Sequence, residues 1–263
     1  MHVVKAHAYG NDFLYVRFAD AGDGDVVALA RRICHRTTGI GADGLILYAE
    51  DAAGATMRLI NSDGSHSEVS GNGVRGLAAL IARQRGMDAG QVRIATAAGD
   101  KVLDLLATEC GYRYLFRAHM GRVSDVADIA LDIAGLGHVF AVRLNVGNPQ
   151  CVVLVDRLEP HILPILGPAL QVHPAFPEGV NVEIAHAISR DRVEIQVWER
   201  GCGPTSSSGT GSSACALAAR YRGLVDEDVE VVATGGSQRV VMRGDEFWLT
   251  GWAEVVAEAN WIP

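Results

Sequence analysis

Apolar residues along this chain come in short runs broken by glycine and charge, the pattern of many brief strands and few helices. In the first half, residues 13–18, 45–48, 57–60, 92–95, 101–106 and 112–118 carry the alternating or compact apolar pattern of strands. The second half repeats it at 139–144, 151–155, 181–187, 192–198, 229–233, 239–242 and 246–250. Helical spacing is confined to 26–35, 73–85, 162–170 and 211–222, and Gly86 and Gly223 supply stops for two of these. The helices at 73–85 and 211–222 read Leu77, Ala78, Leu80, Ile81 and Ala214, Cys215, Leu217, Ala218 on their apolar sides, so both are expected to be largely enclosed by sheet.

The two halves carry one device twice. Ser70-Gly71-Asn72-Gly73 and Ser208-Gly209-Thr210-Gly211 each open an Ala-rich helix that ends in an Arg-x-Arg-Gly signal. The same offset places Ile94-Ala95-Thr96 on Val232-Ala233-Thr234 and Asn61 on Glu199, and nearly the same offset places Asn11 on Asn148. The chain reads as a duplication of an α+β unit: two pseudo-symmetric domains, each a curled, mostly antiparallel sheet or barrel around a central helix. The boundary between them is expected near residues 118–124. Two halves facing each other would bring two helix N-termini toward one cleft, where unpaired N–H groups and the positive dipole end favour a carboxylate.

Composition narrows the function. A formal charge of −8 over 263 residues argues against a nucleic-acid surface, which needs a clustered basic face. The start Met1-His2-Val3-Val4-Lys5 lacks a signal-peptide pattern, and no apolar run spans a bilayer, so a cytoplasmic protein with no membrane partner is expected. The five cysteines, Cys34, Cys110, Cys151, Cys202 and Cys215, form no CxxC pair. Neither a disulfide framework nor a zinc site is indicated, and no metal is expected. Three stretches, beginning at Gly39, Gly71 and Gly209, satisfy the loose dinucleotide pattern GxGxxG/A. None follows a strand through a tight turn into a helix, so NAD or FAD binding is rejected.

Glu199-Arg200 ends a strand and enters a glycine-rich loop before the second helix-opening segment. Such a pair is usually a solvated strand end; its place here raises it to a candidate, because Arg can grip a carboxylate bidentately and Glu can move a proton. Asn11, Asn148 and Asn181 border strands and would individually read as turn residues. His66 reads as an exposed loop residue, and Cys151 and Cys202 as residues near the cleft with no assigned part.

Taken together, Tyr9-Gly10-Asn11-Asp12-Phe13, Gly39 to Gly44, Asn61-Ser62-Asp63-Gly64, Gly71-Asn72-Gly73-Val74-Arg75, Gly147-Asn148-Pro149, Phe176 to Val182, and Glu199-Arg200-Gly201 with Ser208-Gly209-Thr210-Gly211 resemble the diaminopimelate epimerases, in order and over nearly the whole chain. The resemblance implies a cofactor-independent epimerase that converts LL- to meso-diaminopimelate on the route to lysine and peptidoglycan. It also implies a homodimer, a C-terminal segment returning to the first domain, so that the domains are 1–118 plus 252–263 and 119–251, and a small-molecule amino acid bound between them. The helix-opening loops, including Gly71, Asn72, Gly209 and Thr210, would hold the α-carboxylate. Asn11, Asn61, Asn148, Asn181 and Arg200 would hold the distal group.

The chain departs from that family where the chemistry lies. The family's two catalytic cysteines would stand at 70 and 208, where this chain has Ser70 and Ser208, and Gln150 replaces a histidine that works beside Glu199. A thiol has a pKa near ~8.5, whereas a hydroxyl is about as weak an acid as water, near ~15.7. Those ~7 units are roughly 10 kcal/mol, and a helix dipole supplies about 0.3–2 kcal/mol. Serine could donate a hydrogen bond or relay a proton, and Glu199 is the strong ionisable base the sequence offers. Three accounts stay open: engineered Cys→Ser changes, a natural epimerase using its serines with Glu199, and a paralogue doing one-base isomerisation or dehydration of another amino acid. An amino-acid-binding protein without catalysis is the rival outside enzymology.

Overall fold

A computed structural model describes residues 1–22, 24–67 and 69–262. The chain divides into two compact units, Met1–Ala118 with Gly251–Pro263, and His119–Thr250.

The first unit contains β1 (His2–Ala8), β2 (Asn11–Arg17), α1 (Phe18–Ala21), α2 (Val26–Ile33), β3 (Gly44–Asp51), β4 (Gly54–Asn61), the short β5 (His66–Ser67), α3 (Gly71–Gln84), β6 (Gly90–Thr96), β7 (Gly99–Glu109) and the start of β8 (Arg113–Arg122). The second contains β9 (Ser124–Ile133), β10 (Gly137–Asn145), β11 (Pro149–Leu154), α4 (Ile162–Gln171), β12 (Asn181–Ser189), β13 (Arg192–Glu199), β14 (Gly203–Thr205), α5 (Gly209–Tyr221), β15 (Asp228–Ala233), β16 (Gly236–Arg243) and the start of β17 (Glu246–Asn260).

In the first unit β1 pairs with both β2 and the C-terminal half of β17, β2 lies parallel to β3, β3 pairs with β4, β4 lies parallel to β6, and β6–β7–β8 form a meander. Pairing of β8 with β17 closes these eight strands into a barrel. The second unit repeats the order: β9–β10–β11, β11 parallel to β12, β12–β13, β13 parallel to β15, then β15–β16–β17. Parallel neighbours need a crossover, and helices fill all four: α2 and α3 in the first unit, α4 and α5 in the second.

The helices α3 and α5 lie deepest. Every residue from Asn72 to Ala82 is buried, as is every residue from Gly211 to Ala219. Around α5 pack Val193, Ile195 and Val197 of β13 with Val229, Val231, Val240 and Phe247. Such close enclosure limits side-chain size on the helices. A Cβ on Gly76 would stand 2.1 Å from Tyr15 Oη, and one on Gly73 2.8 Å from Ile46 Cδ1. Tyr15 Oη itself donates to the Gly73 carbonyl at 2.9 Å.

All the expected strands and helices form. Five strands go beyond those expected: β1, β9 and the second half of β17, which carry no clear signal, and the short β5 and β14, which lie in segments that read as loops. Residues 256–260 are exposed and rich in Ala and Glu, and they are strand because β1 supplies backbone partners from Lys5 back to His2. Much of β9 is likewise exposed, and its pairing with β10 defines it. The helix expected over 162–170 forms despite Pro164 and Pro168, with Gly167 seated against the Trp198 ring.

Gly76→Ala is expected to lower stability by about 1–3 kcal/mol through overpacking. The loss should shrink in a Tyr15→Phe background, where the crowding oxygen is gone; equal losses by denaturant titration in the two backgrounds would refute this account.

Candidate active site

The first helix-opening loop is built by Ser70. Extended backbone at φ −126°, ψ 122° makes it the N-cap of α3, and its Oγ accepts from Gly73 N at 3.1 Å. A Cβ on Gly71 would meet nothing within 4 Å, so the first residue of the helix faces open space. Asn72 is buried and is fixed from both ends: its Nδ2 donates to Asn11 Oδ1 at 3.1 Å, and its Oδ1 accepts from the buried Arg75 guanidinium. Burial brings Arg75 down to about 10, with Tyr9 and Tyr15 acting the other way, so it stays a cation at neutral pH.

From Asn11 the network continues outward. Its Nδ2 donates to Asp43 Oδ2 at 2.7 Å, Arg36 bridges Asp43 and Asp12 at 2.6 and 2.8 Å, and Lys5 Nζ reaches Asp12 at 2.8 Å. Burial would raise the Asp12 carboxyl, but the hydrogen bonds from Arg36 and Lys5 prevail and hold it below the ordinary range. Asn61, at the end of β4, donates to Ser65 Oγ at 3.0 Å in a turn closed by Gly64 N on its carbonyl at 2.9 Å. His66 is exposed beside Arg58.

The second loop repeats the cap. Ser208, at φ −137° and ψ 129°, accepts from Gly211 N at 3.2 Å and lies 3.3 Å from Thr210 Oγ1. It is 3% exposed, whereas Ser70 is half-buried. The serines around it pin the loop: Gln238 Nε2 donates to Ser207 Oγ at 2.8 Å, and Ser213 Oγ donates to the Gly209 carbonyl at 2.9 Å.

Around this second helix start, three strands contribute polar ends. Glu199 closes β13 and is half-buried. Asn181, at the start of β12, accepts from Arg200 N at 2.8 Å, while the exposed Arg200 side chain donates to the Glu178 carbonyl at 2.8 Å. On β11, Gln150 is buried opposite Asn181; its Nε2 donates to Asn148 Oδ1 at 2.6 Å, and its Oε1 has no hydrogen-bond partner among the described residues.

Glu183 is not among the candidates, yet it is wholly buried and neither carboxyl oxygen has a hydrogen-bond partner among the described residues. A Cβ on Gly211 would sit 3.0 Å from its Oε1 and 3.2 Å from the Ser208 Cβ. Burial, reinforced by the charge of Glu199, pushes the Glu183 carboxyl well above its ordinary range. The one legible clue is a charged residue within the apolar run Val180-Asn181-Val182-Glu183-Ile184-Ala185, where alternation points Glu183 inward with Ala185.

The thiols lie elsewhere. Cys151 packs in a separate core under α4 with Leu163 and Leu170, and burial pushes it up to about 12. Cys34 is raised to about 12 by burial, and Cys215 is driven well up by burial inside the α5 core. Cys202 is exposed. Among the described residues no cluster of His, Cys, Asp and Glu could hold a metal ion, and no helix is long and apolar enough to cross a membrane. A groove of about 610 Å³ in the first unit is lined by His7, Arg83, Tyr112 and residues 254–258, none of them a candidate residue.

Two related barrels, each enclosing a helix whose capped N-terminus carries a serine and glycines, define an α+β fold of the racemase and epimerase type. A hydroxyproline epimerase from Agrobacterium vitis, solved with trans-4-hydroxy-L-proline, superposes with a TM-score of 0.73 at 17% identity, covering 98% of this chain and 91% of that one. A phenazine biosynthesis protein from Bacillus anthracis gives 0.73 at 16% identity, covering 100% and 99%. In sequence, the family model for diaminopimelate epimerase matches residues 3–124 and 142–256, and the chain belongs to that family. It is 35% identical to the diaminopimelate epimerase of Carboxydothermus hydrogenoformans, over 100% of both chains, and 37% identical to that of Desulforudis audaxviator, over 100% of this chain and 99% of the relative. That membership places it among the isomerases.

Glu183 supplies a stability test. Its folded-state pKa is raised above the unfolded value, so the stability it allows is complete below the unfolded pKa, near ~4.3, and is lost as pH rises toward the folded pKa. Glu183→Gln should therefore gain in melting temperature relative to wild type as pH moves from about 5 to 8. A difference independent of pH over that window would show the carboxyl to be ionised throughout.

Proposed function

We propose that this chain is an amino-acid epimerase that needs no cofactor and transfers a proton at the α-carbon, with Glu199 as the ionisable base and Ser70 and Ser208 as hydroxyl donors or proton relays. The observation that carries this reading is the repeated serine cap. In each unit a serine hydroxyl stands at the first turn of a buried helix, at the position equivalent to its counterpart, with backbone N–H groups beside it. Those N–H groups suit the α-carboxylate of a substrate, and an enolate-like transition state would place added negative charge on the same oxygens. By resemblance, Ser70 is assigned to one face of the α-carbon and Ser208 to the other.

In both caps the serine oxygen accepts from a backbone N–H, which leaves its own O–H available to donate. The assignment of the base to Glu199 follows from acidity: a hydroxyl anion at either cap would cost roughly 10 kcal/mol relative to a thiolate. Asn148, Asn181 and Arg200 remain the proposed distal contacts in the second unit, with Asn11 and Asn61 in the first. Diaminopimelate is the substrate the family favours. A shifted amino-acid substrate is the second reading, supported by Gln150 in place of histidine and by the network of Ser207, Ser213 and Gln238 around the loop.

Purified protein in D₂O with diaminopimelate stereoisomers and a panel of other amino acids is expected to lose the α-proton NMR signal of one substrate. Glu199→Gln should slow that exchange by about 10²–10⁴-fold, and an undiminished rate would remove Glu199 as the base. The double substitution Ser70→Cys and Ser208→Cys is expected to accelerate exchange on diaminopimelate if that is the substrate. Acceleration on a different amino acid would identify the shifted reading, and saturable binding without any exchange would leave a binding protein.

A further inference from the structure

The second helix start contains a carboxyl that the proton-transfer scheme does not use. Glu183 lies opposite Val197 across the β12–β13 ladder, and Val197 belongs to the core that surrounds α5. Residues paired across a ladder share a face, so Glu183 points at α5, and Glu199, two residues beyond Val197, points the same way. Diagonal neighbours of this kind stand about 7–8 Å apart. On the helix, Gly211 and Cys215 are one turn apart and lie against the same carboxyl: a Cβ on the first would stand 3.0 Å from its Oε1, and the second feels its charge. From β11, Cys151 feels it as well. Cys151 sits on the opposite face of the sheet, in the core under α4, so the titratable groups facing Glu183 are one carboxylate and one thiol, and the charge acting on it is negative.

A glutamate fully enclosed with both oxygens unpartnered is costly to keep, and an apolar residue of similar volume would pack there at lower cost. Its position beside the N-cap that carries Ser208 gives a reason for keeping it. We propose that Glu183 is a positioning residue for proton transfer: a neutral carboxylic acid wedged against the Ser208 loop, whose neutrality leaves Glu199 as the single negative charge of the pair. This rests on the epimerase reading for its chemical consequence. In the step itself, Glu199 takes the α-proton and the C–H electron pair stays on the substrate; Glu183 keeps its proton throughout. If Glu183 ionised, a second anion would face the loop proposed to bind the substrate carboxylate and would oppose the build-up of charge there.

The test is carbon-13 NMR of protein labelled at glutamate Cδ, titrated with pH, with Glu183→Gln and Glu199→Gln used to assign the two signals. In wild type, the Glu183 signal should hold the protonated position at neutral pH. The Glu199 signal should move twice, once with its own ionisation and again at the pH where Glu183 loses its proton. In Glu183→Gln the second movement should vanish. In the exchange assay, wild type should lose rate by about tenfold per pH unit above that second step, and Glu183→Gln should flatten this alkaline limb. A Glu183 signal that titrates in the ordinary carboxylate range overturns the proposal, as does a Glu199 curve identical in both proteins. Both movements are read in wild type, so poor folding of one variant does not remove the test. Absence of exchange with every amino acid would sink the epimerase reading while the titration still decides the state of Glu183.

Discussion

A helix enclosed by a barrel needs its first turn capped where it starts, and the rest of each unit is arranged around that demand. Serine meets it at both places, with Oγ accepting from the N–H three residues on. Further into the helices glycine stands where the wall is close: Gly73 and Gly76 of α3 lie against Ile46 and Tyr15, and Gly211 of α5 against Glu183. The cap and the glycines together leave N–H groups of the first turn pointing where a small anion can use them. The same short segment thereby closes the core and defines the candidate site.

The two copies share this frame and differ in charge. In the first unit, the cap is backed by Asn72 and the buried cation Arg75, then by Asn11, Asp43, Arg36, Asp12 and Lys5, in which every carboxylate has a cationic partner. In the second, the equivalent space holds Gln150, Glu183 and Glu199, and the fully buried Glu183 has no cation acting on it. Paired charges hold a rigid wall; like charges at close range push one carboxyl to keep its proton while its neighbour gives one up. Acid–base chemistry without a thiol requires such an asymmetry, since two hydroxyls cannot supply an anion near neutral pH.

The position of the cysteines argues the same way. Three are buried thiols raised in pKa, and Cys110 and Cys202 are exposed. Cys215 lies one turn inside α5 from Gly211, close in sequence to the cap yet sealed within apolar side chains. Proximity along the helix does not make it reactive, because burial favours the neutral thiol.

The chain's own periodicity determined the strands flanking each central helix, the helices themselves, and their relation by duplication, since alternation and 3.6-residue spacing are local properties. It determined the serine caps as well, because an N-cap is decided by the few residues around it. Tertiary structure decided β9 and the end of β17, whose strand character comes from backbone partners rather than from a clear apolar pattern, and β1, whose buried Val3, Val4, Ala6 and Ala8 lie on a strand held between β2 and the end of β17. It alone decided that Asn11 and Asn72 hydrogen-bond one another. Glu183 is the sharpest case: its letter in the sequence reads as a polar interruption in a strand. Only the wrapping of β11, β12 and β13 around α5 removes water from it, and removal of water is what changes the protonation of a carboxyl.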